Sequence, residues 1–141
     1  MFYFDTSFIV PYFLPEATSL QVEKFLHKFE SGLTISQWTK TEFSSAVGMK
    51  YRMGLISPVE AIAAQGRFEE IITAYFLVLP VQERDFALAS EYLRHWDRSL
   101  RSGDALHLAV AKNNHVQNLY SFDKVMIVAA GKIDLPASSG I

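Results

Sequence analysis

The amino-acid sequence predicts an α/β protein: a three-layer α/β/α domain in which a short parallel sheet is covered by helices on both faces. One observation behind this is a set of short runs, FYF (2–4), LTIS (33–36), FLVLPV (76–81) and NLYS (118–121), each of strand length. Their apolar character suits strands buried on both faces. The other observation is that longer stretches with apolar residues at helical spacing separate these runs, the alternation expected of a parallel sheet.

Local chemistry justifies each element in turn. After FYF and Asp5, Thr6 or Ser7 can cap the segment that follows. EATSLQVEKFLHKFESG places Leu20, Val22, Phe25, Leu26 and Phe29 largely on one helical face and ends at Gly32, a C-cap residue. Ser36 precedes a helix, QWTKTEFSSAVGMKYRMG, that Gly54 stops. SPVE (57–60) joins Ser as N-cap, Pro at the first helical position and Glu three residues after the cap, which starts another helix. FLVLPV is the most β-like run. A helix from about Glu83 to Trp96 follows, with Phe86, Leu88, Ala89, Tyr92, Leu93 and Trp96 as its apolar residues. Ser102 caps GDALHLAVAKNN, and FDKVMIVAAGK forms a last helix before IDLP and a polar tail expected to be flexible over about 137–141. With no internal repeat or linker, one domain over 1–141 is expected.

Composition narrows the function. A chain of 141 residues, half of them hydrophobic, can bury about 68 to 70% of its unfolded surface without a disulfide framework. The absence of cysteine excludes thiolate catalysis and cysteine-ligated zinc. The N-terminus lacks a basic n-region and carries Asp5, Pro11 and Pro15, unlike a signal peptide, and no run reaches 18 apolar residues; a cytoplasmic protein without membrane attachment is expected. A formal net charge of −2 gives no global nucleic-acid footprint, so any such binding must be local. There is no Walker A loop, GxGxxG or GxSxG, and His27, His95, His107 and His115 form no ligand pattern.

The acids are more informative. In a parallel α/β sheet the ligand site lies beyond the carboxyl ends of the strands, where the strand order reverses. Asp5 follows the first strand, Asp123 follows the last, Glu42 lies early in the helix after the second, and Asp104 sits in the first turn of a late helix. Each alone has a plainer reading: Asp5 as a helix cap, Asp104 as a partner of the helix dipole, Glu42 as a solvated helix residue, Asp123 as a turn aspartate. Four together at one rim repel, and the ordinary remedy is a hard divalent cation. Among the other acids only Asp134, between Ile133 and Leu135, resists assignment to a charged helix face.

FDTSFIVPYF, TKTEFSSAV, SGDALHLAVA and SFDKVMIVAAG together resemble the ordered acidic motifs of PIN-domain ribonucleases, particularly VapC-type toxins, over Asp5 to about Gly131. The resemblance implies a PIN-like fold and a Mg²⁺- or Mn²⁺-dependent endoribonuclease. It makes Asp5, Glu42, Asp104 and Asp123 the catalytic, metal-holding quartet, with Asp5 and Asp104 central, and Thr6 and Ser121 supporting hydroxyls. Ser-Phe-Asp replaces the commoner Thr-x-Asp of the last motif, and serine keeps the hydroxyl. It also implies a homodimer and a small VapB-like antitoxin that inserts along the helices at 37–53 and 57–74. Those helices carry a surplus of apolar residues, among them Tyr51, Met53, Leu55, Ile56, Phe68, Ile71, Ile72, Tyr75 and Phe76. RNA phosphates would meet Lys40, Arg98, Arg101 and Lys124, with Arg94 nearby. Two other classes compete: a non-catalytic PIN-like module binding RNA or protein, which would be expected to lack the acids, and a metal-dependent phosphatase. A phosphatase of the haloacid-dehalogenase type needs an Asp two residues after the first, where this chain has Ser7.

Overall fold

Five short strands lie side by side, all parallel, in the order β3-β2-β1-β4-β5. The computed structural model describes residues 1–95 and 99–141. Its elements run β1 (Phe2–Phe4), α1 (Thr6–Phe13), α2 (Ser19–Leu26), β2 (Leu33–Ser36), α3 (Gln37–Arg52), α4 (Pro58–Tyr75), β3 (Leu77–Leu79), α5 (Glu83–Leu93), α6 (Ser102–Asn113), β4 (Asn118–Tyr120), α7 (Lys124–Gly131) and β5 (Ala137–Ser138). The predicted α/β/α layering is present. No helix among the described residues is long and apolar enough to cross a membrane.

Strand alternation divides the interior. Tyr3 and Leu119 point to one face and Phe4, Ile35 and Tyr120 to the other, because successive side chains leave a strand on opposite sides. The face covered by α1 to α4 is aromatic: Phe43 and Phe68 stack with ring centroids 3.9 Å apart, and Phe13 sets its edge against both. The face covered by α5 to α7 is built from Ala105, Ala109, Ala111, Ala129 and Ala130 with Leu106 and Leu108. Small side chains there let α6 lie close against the sheet.

Several expected boundaries move. The second helix ends at Leu26 rather than at Gly32, because Phe25 and Leu26 carbonyls accept the three-residue turn bonds of Lys28 and Phe29. That turn folds the Phe29 ring back to within 4.9 Å of Phe2 and 5.7 Å of Phe4. Gly32 then takes φ +85 ahead of β2, a left-handed conformation glycine adopts without a Cβ penalty. Ser57 caps α4 in the reciprocal capping box anticipated, and Ser36, which precedes α3, caps it in the same way. Ser102 does not cap α6: Arg101 holds the N-cap position without a side-chain bond, and Ser102 is the first helical residue. Helix α5 ends at Leu93, and its expected end at Trp96 lies outside the described residues.

The expectation of a flexible tail over 137–141 is corrected. Ala137 and Ser138 form β5 beside Leu119 and Tyr120, with Leu119 and Ser121 N–H groups donating to the Pro136 and Ser138 carbonyls. Gly140 then packs so closely on Phe25 that a Cβ would come within 2.6 Å of its ring. Backbone pairing, not side-chain hydrophobicity, orders this polar segment.

Candidate active site

The strand order reverses between β1 and β4: the chain leaves β1 toward β2 and β3, then returns to the other side of β1. Asp5 and Asp123 follow these two strands, so the expected cleft position holds. Asp5 is only 2% exposed. Its Oδ1 accepts from the Phe8 N–H at 3.0 Å and the Ser7 hydroxyl at 2.8 Å, and its Oδ2 accepts from Ser121 at 2.6 Å. The cap of α1 is therefore Asp5 itself, not Thr6 or Ser7. Capping and site membership coexist in one carboxylate. Burial pushes the Asp5 carboxyl up, against the opposing influence of His107 and of the Ser121 and Ser7 bonds.

Ser121 joins the two strand ends, because its Oγ also accepts from the Asp123 N–H at 2.9 Å. Ser7 does the same one step away, accepting from the Phe122 N–H at 2.9 Å. Asp123 caps α7: its Oδ1 accepts from Val125 and Met126 N–H groups at 2.8 and 3.2 Å, while Oδ2 has no hydrogen bond among the described residues.

Glu42 reaches the rim from α3. Its Oε1 accepts from the Thr6 hydroxyl at 2.6 Å and from His107 Nε2 at 2.5 Å. Its Oε2 lies against Gly103, where a Cβ would come within 3.1 Å of that oxygen. Burial alone would raise the Glu42 carboxyl, but the hydrogen bond and charge of His107, with the Thr6 bond, leave it lowered. Asp104, in the first turn of α6, accepts no comparable bond among the described residues; Arg101 Nε lies 3.6 Å from its Oδ2. Burial raises the Asp104 carboxyl and the Asp123 carboxylate raises it further, Arg101 and His107 opposing and Glu42 adding.

The four predicted acids thus gather at one rim, with Thr6 and Ser121 bonded to two of them. Among the described residues no three of His, Asp or Glu close into a ready-made cage for an ion. The donor set nevertheless fits a hard divalent cation: Asp104 is raised by burial and further by the Asp123 and Glu42 carboxylates, and Asp123 Oδ2 and Glu42 Oε2 carry no protein hydrogen bond among the described residues. A cation relieves that repulsion.

The basic residues separate. Arg101 stands at the rim beside Asp104, and Lys124 is the exposed first residue of α7, next to Asp123. Lys40 instead turns to α4 and pairs with Glu69 at 2.9 Å. Arg98 lies outside the described residues. Asp134 belongs to the turn before β5, at the opposite end of a parallel strand from the site, with φ +53. Sequence reading missed two contributors, Ser7 and His107. Ser7 carries little signal by itself, but His107, three residues after Asp104 in the apolar DALHLAVA, shares its helical face and is a polar residue with no water to satisfy it.

A model of the PIN domain matches residues 2–132 of the chain. Among solved structures, the chain is similar to the VapC20 toxin of Mycobacterium tuberculosis, described as cleaving the sarcin-ricin loop (TM-score 0.74, 23% identity, 92% of this chain and 95% of that one covered). It is similar to a chain of the Neisseria gonorrhoeae FitAcB structure (TM-score 0.75, 20% identity, 99% and 98% covered) and to one of VapBC-1 from nontypeable Haemophilus influenzae (TM-score 0.68, 16% identity, 99% and 98% covered). No curated protein matches significantly. At these identities the structural likeness speaks for the fold.

Proposed function

Because the chain belongs to the PIN-domain family, we propose that it is a divalent-metal-dependent endoribonuclease of the VapC toxin type, held in check by a small antitoxin. The observation that carries this reading is the convergence at one rim of Asp104, raised by burial with Asp123 and Glu42 adding, and of an Asp5 that Ser7 and Ser121 hold in place. Mg²⁺ or Mn²⁺ bound at this rim supplies an activated water and stabilises charge on the phosphoryl and leaving oxygens of a phosphodiester.

The chain's own residues prepare that chemistry. Asp5 and Asp104 are the central ligands, while Glu42 and Asp123 hold the ion directly or through water. Ser7 and Ser121 fix the rotamer of Asp5, and Thr6 that of Glu42. Arg101 and Lys124 flank the acids and can hold phosphates, which positions RNA without specifying its sequence.

The partner reading draws on exposed apolar side chains. On α4, Val59 and Ile62 are 76% and 75% exposed, and Met53 and Leu55 just before it are exposed too; Phe68, Ile72 and Ile56 from the same surplus are core. Such a surface suits a second copy of the chain or an antitoxin helix. Three of the similar structures are FitAcB, FitAB bound to a DNA fragment, and VapBC-1.

The deciding experiment incubates the purified chain with a structured RNA, with and without Mn²⁺, beside Asp104→Asn. Manganese-dependent cleavage lost in the folded variant is expected. Cleavage that persists in Asp104→Asn overturns the assignment of this site. Mn²⁺ binding with no cleavage of any RNA favours a binding module, and release of phosphate from small monoesters favours the phosphatase.

A further inference from the structure

Beneath the rim, Glu42 and Thr6 connect to buried Ser36, Tyr3 and His107, which none of the predicted roles uses. Tyr3 in β1 is fully buried, and its hydroxyl lies 2.8 Å from Ser36 Oγ and 2.7 Å from His107 Nδ1. His107, 1% exposed, presents its other nitrogen to Glu42 Oε1, and Thr6 closes the chain on the same oxygen. Ser36, Tyr3, His107, Glu42 and Thr6 come from the end of β2, β1, α6, α3 and α1 respectively. A carboxylate oxygen only accepts, so Nε2 carries the N–H that faces Glu42. The Tyr3 hydroxyl fixes the ring orientation from behind, and the T-shaped Tyr3–His107 packing at 5.8 Å restrains it further.

We propose that His107 is a positioning residue that holds Glu42 as a metal ligand: by occupying Oε1 it turns Oε2 outward, toward the rim beside Asp104. This rests on the metal-binding reading of the site given above. Position supports it. His107 stands three residues after Asp104 on one face of α6, so a single helix carries one ligand and braces another on α3. Gly103 supports it too, since a side chain at 103 would crowd the space that Oε2 occupies. Groups that hydrogen-bond metal ligands in this way commonly carry about 10- to 100-fold of the metal affinity.

The test measures Mn²⁺ affinity by calorimetry on the whole chain, with thermal melts of the metal-free protein alongside. His107→Leu, which keeps the bulk and removes the N–H, is expected to weaken Mn²⁺ by about 10- to 100-fold. His107→Gln, whose amide can donate from the Nε2 position, recovers part of the loss. In a Glu42→Gln background His107→Leu costs nothing further, because the histidine acts through Glu42. A merely structural histidine lowers the melting temperature yet leaves Mn²⁺ affinity alone, or weakens it equally in both backgrounds; either result overturns the proposal and leaves the metal site standing. If His107→Leu does not fold, Tyr3→Phe, which removes only the hydroxyl behind Nδ1, carries the test with a several-fold loss expected and an unchanged affinity as the contrary result. Failure of the wild-type chain to bind Mn²⁺ is a different outcome, which removes the metal reading and this proposal together.

Discussion

Asp5 and Asp104 stand at one rim, both raised by burial, but among different partners. Asp5 is the more deeply buried of the two, yet each oxygen receives hydrogen bonds from a serine hydroxyl, and Oδ1 also receives the Phe8 N–H. Asp104 is less buried, has one distant cation in Arg101, and faces the carboxylates of Asp123 and Glu42. Burial raises both carboxyls; what distinguishes the two acids is their partners, serine hydroxyls for Asp5 and other carboxylates for Asp104. In the metal-free protein the Asp5 half of the site is part of the fold's own hydrogen bonding, whereas the Asp104 half holds repulsion that a cation would remove.

The sharpest test of this contrast is catalytic. Replacing Asp104 by Asn should lower manganese-dependent RNA cleavage by about 10³-fold, the equivalent of the several kcal/mol of charge stabilisation that a metal supplies. In the metal-free protein the same substitution is expected to raise the melting temperature, since it deletes a repelling carboxylate; a lower melting temperature in the absence of metal would break the comparison.

Asp5→Ala should act in the other direction on stability. It strips the cap from α1 and leaves buried Ser121 and Phe8 donors without an acceptor, for a loss of about 2 to 3 kcal/mol in chemical denaturation. Near-wild-type stability would mean that the serines find other partners.

The pH dependence separates the two signs more finely. The Asp104 carboxyl is raised in the folded state, so the stability it contributes is full below its unfolded value and is lost as pH rises through the folded one. Glu42 is lowered, so its contribution is present above the unfolded value of 4.5 and is lost as pH falls through the folded one. The gain in melting temperature of Asp104→Asn over wild type should therefore shrink as the pH is lowered from 7 toward 4, measured without metal. A gain that is constant with pH would show that repulsion between charges is not its source.

The smallest effects concern the cations. Arg101→Ala should weaken RNA binding a few-fold and reduce the slope of log affinity against log salt by roughly one. Lys40→Ala, whose ammonium is engaged by Glu69, should leave that slope unchanged and cost under about 1 kcal/mol of stability. Equal salt effects from the two would remove the distinction between a rim cation and a surface ion pair.

Much of this was legible from residue order alone, and for identifiable reasons. Strand runs of three to six residues between helical stretches gave the α/β/α layering, and the capping signals at Ser36 and Ser57 are local chemistry that needs no tertiary context. The four acids were readable because each stands at a strand end or in the first half of a helix, where the topology rule places a site. Harder were the features that depend on a remote partner. Ala137 and Ser138 form a strand only because β4 offers an open edge, and no side chain announces that pairing.

The sequence by itself determined which groups this chain can bring to a site: carboxylates and hydroxyls near strand ends and in the first halves of helices, no thiol, no nucleotide loop. Only the tertiary structure decided how those groups divide the work. Whether a carboxylate is satisfied by serines, as Asp5 is, or pressed against other acids, as Asp104 is, depends on contacts across as many as 116 residues of chain. The same holds for His107, which is one of four histidines until α6, β1 and α3 close around it. Hydrogen bonds and Coulomb energies are fixed by distances of a few ångströms, and residue order sets those distances only through the packed fold.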